Sequence, residues 1–251
     1  MMTLGVFVLV LVLGVVVAWC VGRVVDVLLG IRARQAELGQ GEITNTSKQA
    51  RSRTALPTQC STLIVLGSGG HTMEMLKLLR AASEDSKPNK RLYPRHYVVA
   101  QTDAHSREKA VNFEQQQSTV SKGVHFHAIS RSREVGQSYM TSVVSTLRAL
   151  IDSFPLLLRT QPQLILVNGP GSCVPVCIAA FVLKVLGLND ATIVYVESIC
   201  RVTTLSLSAK LLQWFVDTCV VRWPELGNGR CVAIPPSSLS SPTSTAAAAA
   251  L

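Results

Sequence analysis

The chain has 251 residues, enough for one or two domains, and 48% of them are hydrophobic with a mean hydropathy of +0.33, which points to a segment in lipid. Twenty-four Lys and Arg against 15 Asp and Glu give a formal charge of +9, suited to lipid headgroups and phosphorylated substrates; no basic stripe interleaved with aromatics supports nucleic acid. Seven cysteines, scattered and without a CxxC pair, suggest neither a disulfide framework nor a zinc site.

Residues 4–22 form an uncharged apolar run. At 1.5 Å per residue it can cross a bilayer core of about 30 Å. A cleaved signal peptide is the rival, but the run exceeds the usual apolar core of about 7–15 residues, no basic side chain precedes it and no small-x-small site follows. Arg23, Arg32, Arg34, Lys48, Arg51 and Arg53 all follow the run, so the globular part is expected in the cytosol. The odd number and scattered spacing of the cysteines agree with that side. Residues 1–34 read as a single-pass anchor and the polar stretch 35–61 as a linker.

Leu63-Ile64-Val65-Leu66 is an apolar run ended by glycine, a strand buried on both faces, and Met73, Leu76 and Leu79 mark the inward face of the helix behind it. A charged loop leads to a second strand within residues 95–101, and Asp103 then caps a polar helix through Ala110 and Phe113. Residues 123–129 alternate as a weaker third strand. A helix with Val143, Val144, Leu147, Leu150, Ile151 and Phe154 follows, and Pro155 and Pro162 punctuate its end. Leu164-Ile165-Leu166-Val167 is another strand, and it runs into a second glycine turn and an apolar helix over 174–186, where Cys173 and Cys177 serve as small core residues. Residues 192–196 form a strand that opens at Glu197; one more helix and the short strand Cys219-Val220-Val221 end at Trp223-Pro224. Strands alternating with helices predict an α/β fold, a doubly wound parallel sheet over residues 62–226. Residues 227–251 read as a low-complexity tail.

Ligands of such sheets bind beyond the carboxyl ends of the strands. One rim therefore collects residues 67–72, Asp103, Arg131, Arg133, residues 168–171 and residues 197–201. The turn after the first strand leaves the first amides of a helix unpaired, with the helix dipole behind them: a ready anion site. Gly67, Gly69 and Gly70 admit a phosphate close to the backbone, and Ser68 and Thr72 supply hydroxyls. A nucleotide triphosphatase loop needs Lys where His71 stands. A dinucleotide fingerprint needs Gly or Ala at Thr72 and an acid about 20 positions on, short of Asp103, so a nicotinamide-dependent reductase is disfavoured. A turn required only for packing is the plain alternative; His71 at its mouth argues for chemistry.

Gly67-Ser68-Gly69-Gly70-His71-Thr72, Arg131-Ser132-Arg133-Glu134-Val135, Asn168-Gly169-Pro170-Gly171 and Val194-Tyr195-Val196-Glu197-Ser198-Ile199-Cys200-Arg201 together resemble the membrane subunit of the UDP-N-acetylglucosamine transferase of asparagine-linked glycosylation. The resemblance covers the anchor and residues 63–226. It implies the Rossmann-like acceptor half of an inverting GT-B glycosyltransferase split over two chains, similar to the one-chain bacterial enzyme that makes the peptidoglycan lipid precursor. It further implies the endoplasmic reticulum membrane as location, a dolichol-diphosphate-linked GlcNAc as acceptor of a second GlcNAc, and a soluble UDP-GlcNAc-binding partner without which the chain is inactive. No metal or other cofactor is implied. A domain of about 160 residues makes only one such half, which agrees.

On this resemblance His71 takes the proton of the acceptor hydroxyl, as a neutral imidazole can, or else only hydrogen-bonds phosphate. Glu197 is the competing base, or else pairs with Arg201. Gly67, Ser68, Gly69, Gly70, Thr72, Asn168, Gly169, Pro170, Gly171 and Arg201 complete the acceptor and phosphate set. Arg131 and Arg133 contact phosphate or anionic membrane, or form a solvated charged loop. His96, His105, His125 and His127 show no metal-ligand spacing. Family members end soon after the Trp-Pro with a short hydrophobic strand near the partner; here residues 227–234 give way to Pro235-Pro236 and an alanine run, a departure that bears on subunit docking. The competing class is a non-catalytic membrane scaffold with a degenerate Rossmann domain.

Overall fold

Unbroken apolar runs become strands here because helices cover both faces of the sheet. The structure, a computed structural model, describes residues 2–40, 59–84, 92–117, 123–132, 137–169 and 171–234. Its strands are β1 (Thr62–Val65), β2 (Arg95–Ala100), β3 (Val124–Ile129), β4 (Leu164–Asn168), β5 (Thr192–Val196), β6 (Thr218–Val221) and β7 (Cys231–Ala233). They form one sheet in the order β3-β2-β1-β4-β5-β6-β7, with every pairing parallel. Helices α2 (Gly70–Glu84) and α3 (Ala104–Gln116) cover one face, where Met75, Leu79 and Phe113 pack on Ile64, Leu66 and Tyr97. Helices α4 (Tyr139–Thr160), α5 (Cys173–Val185) and α6 (Leu207–Leu212) cover the other, where Leu157, Val176 and Leu212 join Leu63, Val65 and Ile165 in one core. The chain winds outward from β1 to β3 and then returns to β4 on the other side of β1. That reversal opens a crevice between the ends of β1 and β4, where doubly wound sheets bind ligands.

The first helix, α1 (Met2–Gln40), is one continuous element of 39 residues, and Gly14–Leu38 is long and apolar enough to cross a membrane. It does not stop at 34. Gln35, expected in the linker, is buried and donates to the carbonyls of Gln213 (3.1 Å) and Val216 (2.9 Å). Arg34 lies 2.5 Å from Asp217, and Arg23 donates to the carbonyls of Lys184 (3.5 Å) and Val185 (3.4 Å) at the carboxyl end of α5, where a helix dipole favours a cation. The rest of the expected linker, residues 41–58, lies outside the described residues.

Other expectations shift for local reasons. In α2 the buried stripe is Thr72, Met75, Leu76 and Leu79, which leaves Met73 exposed. Helix α4 runs through Pro155 to Thr160, and it turns Ala149, Ser153 and Leu157 inward while Val143, Val144, Leu147 and Ile151 stay exposed. A helix apolar on two flanks gives periodicity no means of choosing between them. Residues 231–233, assigned to the tail, pair with β6, and the register that sets Cys231 opposite Cys219, with Cα atoms 4.5 Å apart, brings the two into a disulfide. The other five cysteines are free, so there is still no framework, but the bridge removes the cysteines as a sign of compartment. Residues 235–251 lie outside the described residues.

Strand alternation puts His96, His125 and His127 on the α4 side of β2 and β3, and His96 Nδ1 lies 3.1 Å from His127 Nε2. Burial, with the two neighbouring imidazoles, lowers His96 to about 4; burial, with His125, lowers His127. The fold thus holds both rings neutral, whereas the unfolded chain binds protons near the ordinary value of about 6.5. Their contribution is intact above that pH and is lost as pH falls from about 6.5 toward 4. Melting of the purified protein followed by circular dichroism is expected to show a smaller drop between pH 7 and pH 5 in His96→Gln than in the unaltered chain.

Candidate functional site

The β1–α2 turn is built as its glycines suggest. Gly69 has φ +64°, a conformation that strains other residues, and a Cβ at Gly69 or Gly70 would meet no atom within 4 Å. The turn is therefore open toward solvent, and Ser68 lies in its exposed mouth. Thr72 is not part of that mouth. It is fully buried and its hydroxyl donates to the Gly67 carbonyl, while Ser106 Oγ lies 2.7 Å from Thr72 Oγ1 and 2.7 Å from Asp103 Oδ2. Asp103 accepts from the Ser106 amide at 3.1 Å as the expected helix cap. Both residues hold the turn against α3.

Three turns converge at the crevice. His71, from the β1–α2 turn, places Nδ1 3.0 Å from Oδ1 of Asn168 at the end of β4. Its side chain is 34% exposed, so one edge of the ring is open. Gly169 has φ +53°, and a Cβ there would stand 2.7 Å from His71 Cε1 and 2.9 Å from Nδ1. The glycine is needed so that the ring can lie against the backbone. Glu74, one helical turn after His71, joins the group: its Oε2 accepts from Asn168 Nδ2 (3.2 Å) and lies 3.5 Å from His71 Nδ1, and its Oε1 accepts from Ser198 Oγ (2.9 Å) after β5. Sequence reading missed Glu74. The His-x-x-Glu spacing, which puts both side chains on one helical face, was the signal that could have found it.

Glu197 does not pair with Arg201. It is buried and accepts from the amides of Ser198 (2.9 Å) and Ser206 (2.8 Å) and from the Tyr195 hydroxyl (3.3 Å). Both oxygens are thus engaged in shaping the loop after β5. Burial, together with the Glu197 charge, raises the Tyr195 phenol far above its ordinary value and keeps it a donor. Arg201 is exposed, and its amide closes a turn on the Ser198 carbonyl at 3.0 Å. Arg131 reaches Thr102 Oγ1 at 3.2 Å beyond the ends of β2 and β3. Gly171 is exposed beside α5, and Arg133 and Pro170 lie outside the described residues. Among the described residues no group of three or more His, Cys, Asp or Glu is arranged to hold a metal ion.

The rim thus offers helix amides for an anion, an imidazole with one free edge and an open mouth. A family model described as "Oligosaccharide biosynthesis protein Alg14 like" matches residues 62–232. The chain belongs to that family. Proteins named UDP-N-acetylglucosamine transferase subunit ALG14 are similar to it: the Mus musculus protein is 47% identical over 170 residues, 65% of this chain and 76% of the relative. The Homo sapiens protein is 47% identical over 171 residues (66% and 76%), and that of Yarrowia lipolytica 39% identical over 164 residues (65% and 74%). Among solved structures, Acinetobacter baumannii MurG is similar with a TM-score of 0.49 and 12% identity, over 70% of this chain and 45% of MurG.

Proposed function

We propose that this chain is the membrane-anchored, acceptor-binding subunit of a heteromeric UDP-GlcNAc transferase that adds the second GlcNAc to dolichol-diphosphate-linked GlcNAc. In this reading α1 holds the domain at the cytosolic face of the endoplasmic reticulum, and the chain recruits a soluble partner that binds UDP-GlcNAc as the other half of a GT-B enzyme. The lipid diphosphate lies on the first amides of α2, with Ser68 at the mouth. His71 takes the proton of the acceptor sugar hydroxyl as its oxygen attacks the anomeric carbon, and UDP leaves with inversion. The observation that carries the reading is the placement of His71 at the crevice between β1 and β4, against Asn168 and in the first turn of α2, where a helix leaves its leading amides without intrahelical partners. Glu197, with both oxygens hydrogen-bonded, fits loop support better than proton transfer.

The test is co-expression of the full chain with a candidate soluble subunit and assay of transfer from UDP-GlcNAc to a GlcNAc-diphosphate-isoprenoid. Transfer is expected only when both chains are present. Transfer by the soluble chain alone, or none by the pair, overturns the proposal. Within that assay Gly169→Ala is expected to cost about 10²-fold, because displacing the His71 ring by about 1 Å misaligns proton transfer. Its unfolding stability should fall by only about 1–2 kcal/mol, the cost of a side chain in the left-handed region.

A further inference from the structure

The contacts of Glu74 do more than fill space. A carboxylate has no proton to give, so the Asn168 amide must turn its NH2 toward Glu74 Oε2, at 3.2 Å. Asn168 Oδ1 then faces His71 Nδ1 at 3.0 Å, and Glu74 Oε2 itself lies 3.5 Å from the same nitrogen. Two oxygens that only accept thus meet at Nδ1. The proton of the neutral ring belongs on Nδ1, and the lone pair on Nε2.

We propose that Glu74 is a positioning residue: acting through Asn168, it fixes His71 in the Nδ1–H tautomer and so leaves Nε2 as the proton acceptor. The inference deepens the proposed function and rests on it for the role of His71, but the tautomer itself does not depend on any substrate. The same carboxylate also accepts from Ser198 Oγ at 2.9 Å, so the turn after β5 helps hold the relay in place. Glu74 is 16% exposed, which shields the relay from competing water.

The tautomer can be read directly. The full chain, labelled with 15N-histidine and held in detergent micelles, contains five histidines, and a His71→Gln spectrum assigns the resonance of interest. The expected spectrum shows His71 protonated at Nδ1. Glu74→Met removes the acceptor, frees the Asn168 amide to rotate and should give an exchanging mixture of tautomers. Glu74→Gln can still present its carbonyl to Asn168 with its NH2 toward Ser198 Oγ, and should keep the Nδ1–H signal. In transfer assays with the partner, Glu74→Met is expected to lower kcat roughly 10- to 100-fold, the common cost of losing a group that orients an imidazole, with acceptor KM little changed. An Nε2–H ring in the unaltered chain, or a Glu74→Met ring still held as Nδ1–H, overturns the inference. Should Glu74→Met fail to fold, the unaltered and Glu74→Gln spectra decide. A correct tautomer with transfer unaffected by loss of His71 would instead refute the proposed function and leave the hydrogen-bond relay standing.

Discussion

Replacing His71 with alanine is expected to lower GlcNAc transfer by roughly 10²- to 10⁴-fold, the usual contribution of a positioned general base. The ring reaches solvent along one edge and makes its described hydrogen bond to Asn168, so its removal leaves the core packing of β1 and β4 as it was. Membrane association and partner recruitment should therefore be unchanged. The loss should fall on kcat, since on the proposed reading the diphosphate is held by α2 amides that the substitution does not touch. A variant that transfers as fast as the unaltered chain would take His71 out of the chemistry; one with normal kcat and a raised acceptor KM would make it a phosphate ligand.

The second large effect is on stability. Asp217 is buried, and it accepts from the Lys184 ammonium and from the Ile193 amide, both at 2.8 Å, while its other oxygen faces Arg34. Lys184 is itself only 5% exposed, and its next carboxylate, on exposed Asp190, is 3.8 Å away. Asp217→Ala leaves a buried cation and a buried amide without their main acceptor, and is expected to cost about 3–5 kcal/mol. For a domain of this size that is a fall of roughly 10 °C or more in Tm. Replacing both members, Lys184→Met with Asp217→Leu, should recover the part of the loss due to the buried Lys184 charge, while half-exposed Arg34 turns to water and the Ile193 amide stays without its acceptor. A thermal melt that shows Asp217→Ala within 1–2 °C of the parent would contradict this reading.

Much of the architecture was legible because a sheet covered on both faces demands uninterrupted apolar runs, and Leu63 to Leu66 and Leu164 to Val167 supply them. The glycine turns were legible too, for two different reasons: Gly69 supplies a positive φ at an open turn, and at Gly169 the backbone passes close to the His71 ring. What stayed hidden depends on registers that no local pattern encodes. Cys231 pairs with Cys219 only because a three-residue strand after a glycine-rich loop joins the sheet. Gln35 looked like linker because its polar side chain is satisfied by carbonyls about 180 residues away. Glu74 looked like any solvated glutamate on a helix, and its meaning comes from Asn168 and Ser198, each about a hundred residues further on.

Helix α1 passes without a break from its apolar half into the half packed beside α5 and β6. With residues 4–22 in a bilayer, the 13 residues from Arg23 to Gln35 form a stiff rod of about 20 Å rather than a leash. On the proposed reading, the rim that carries His71 would then keep a set distance from the point where the helix leaves the lipid, as a bracket holds a shelf.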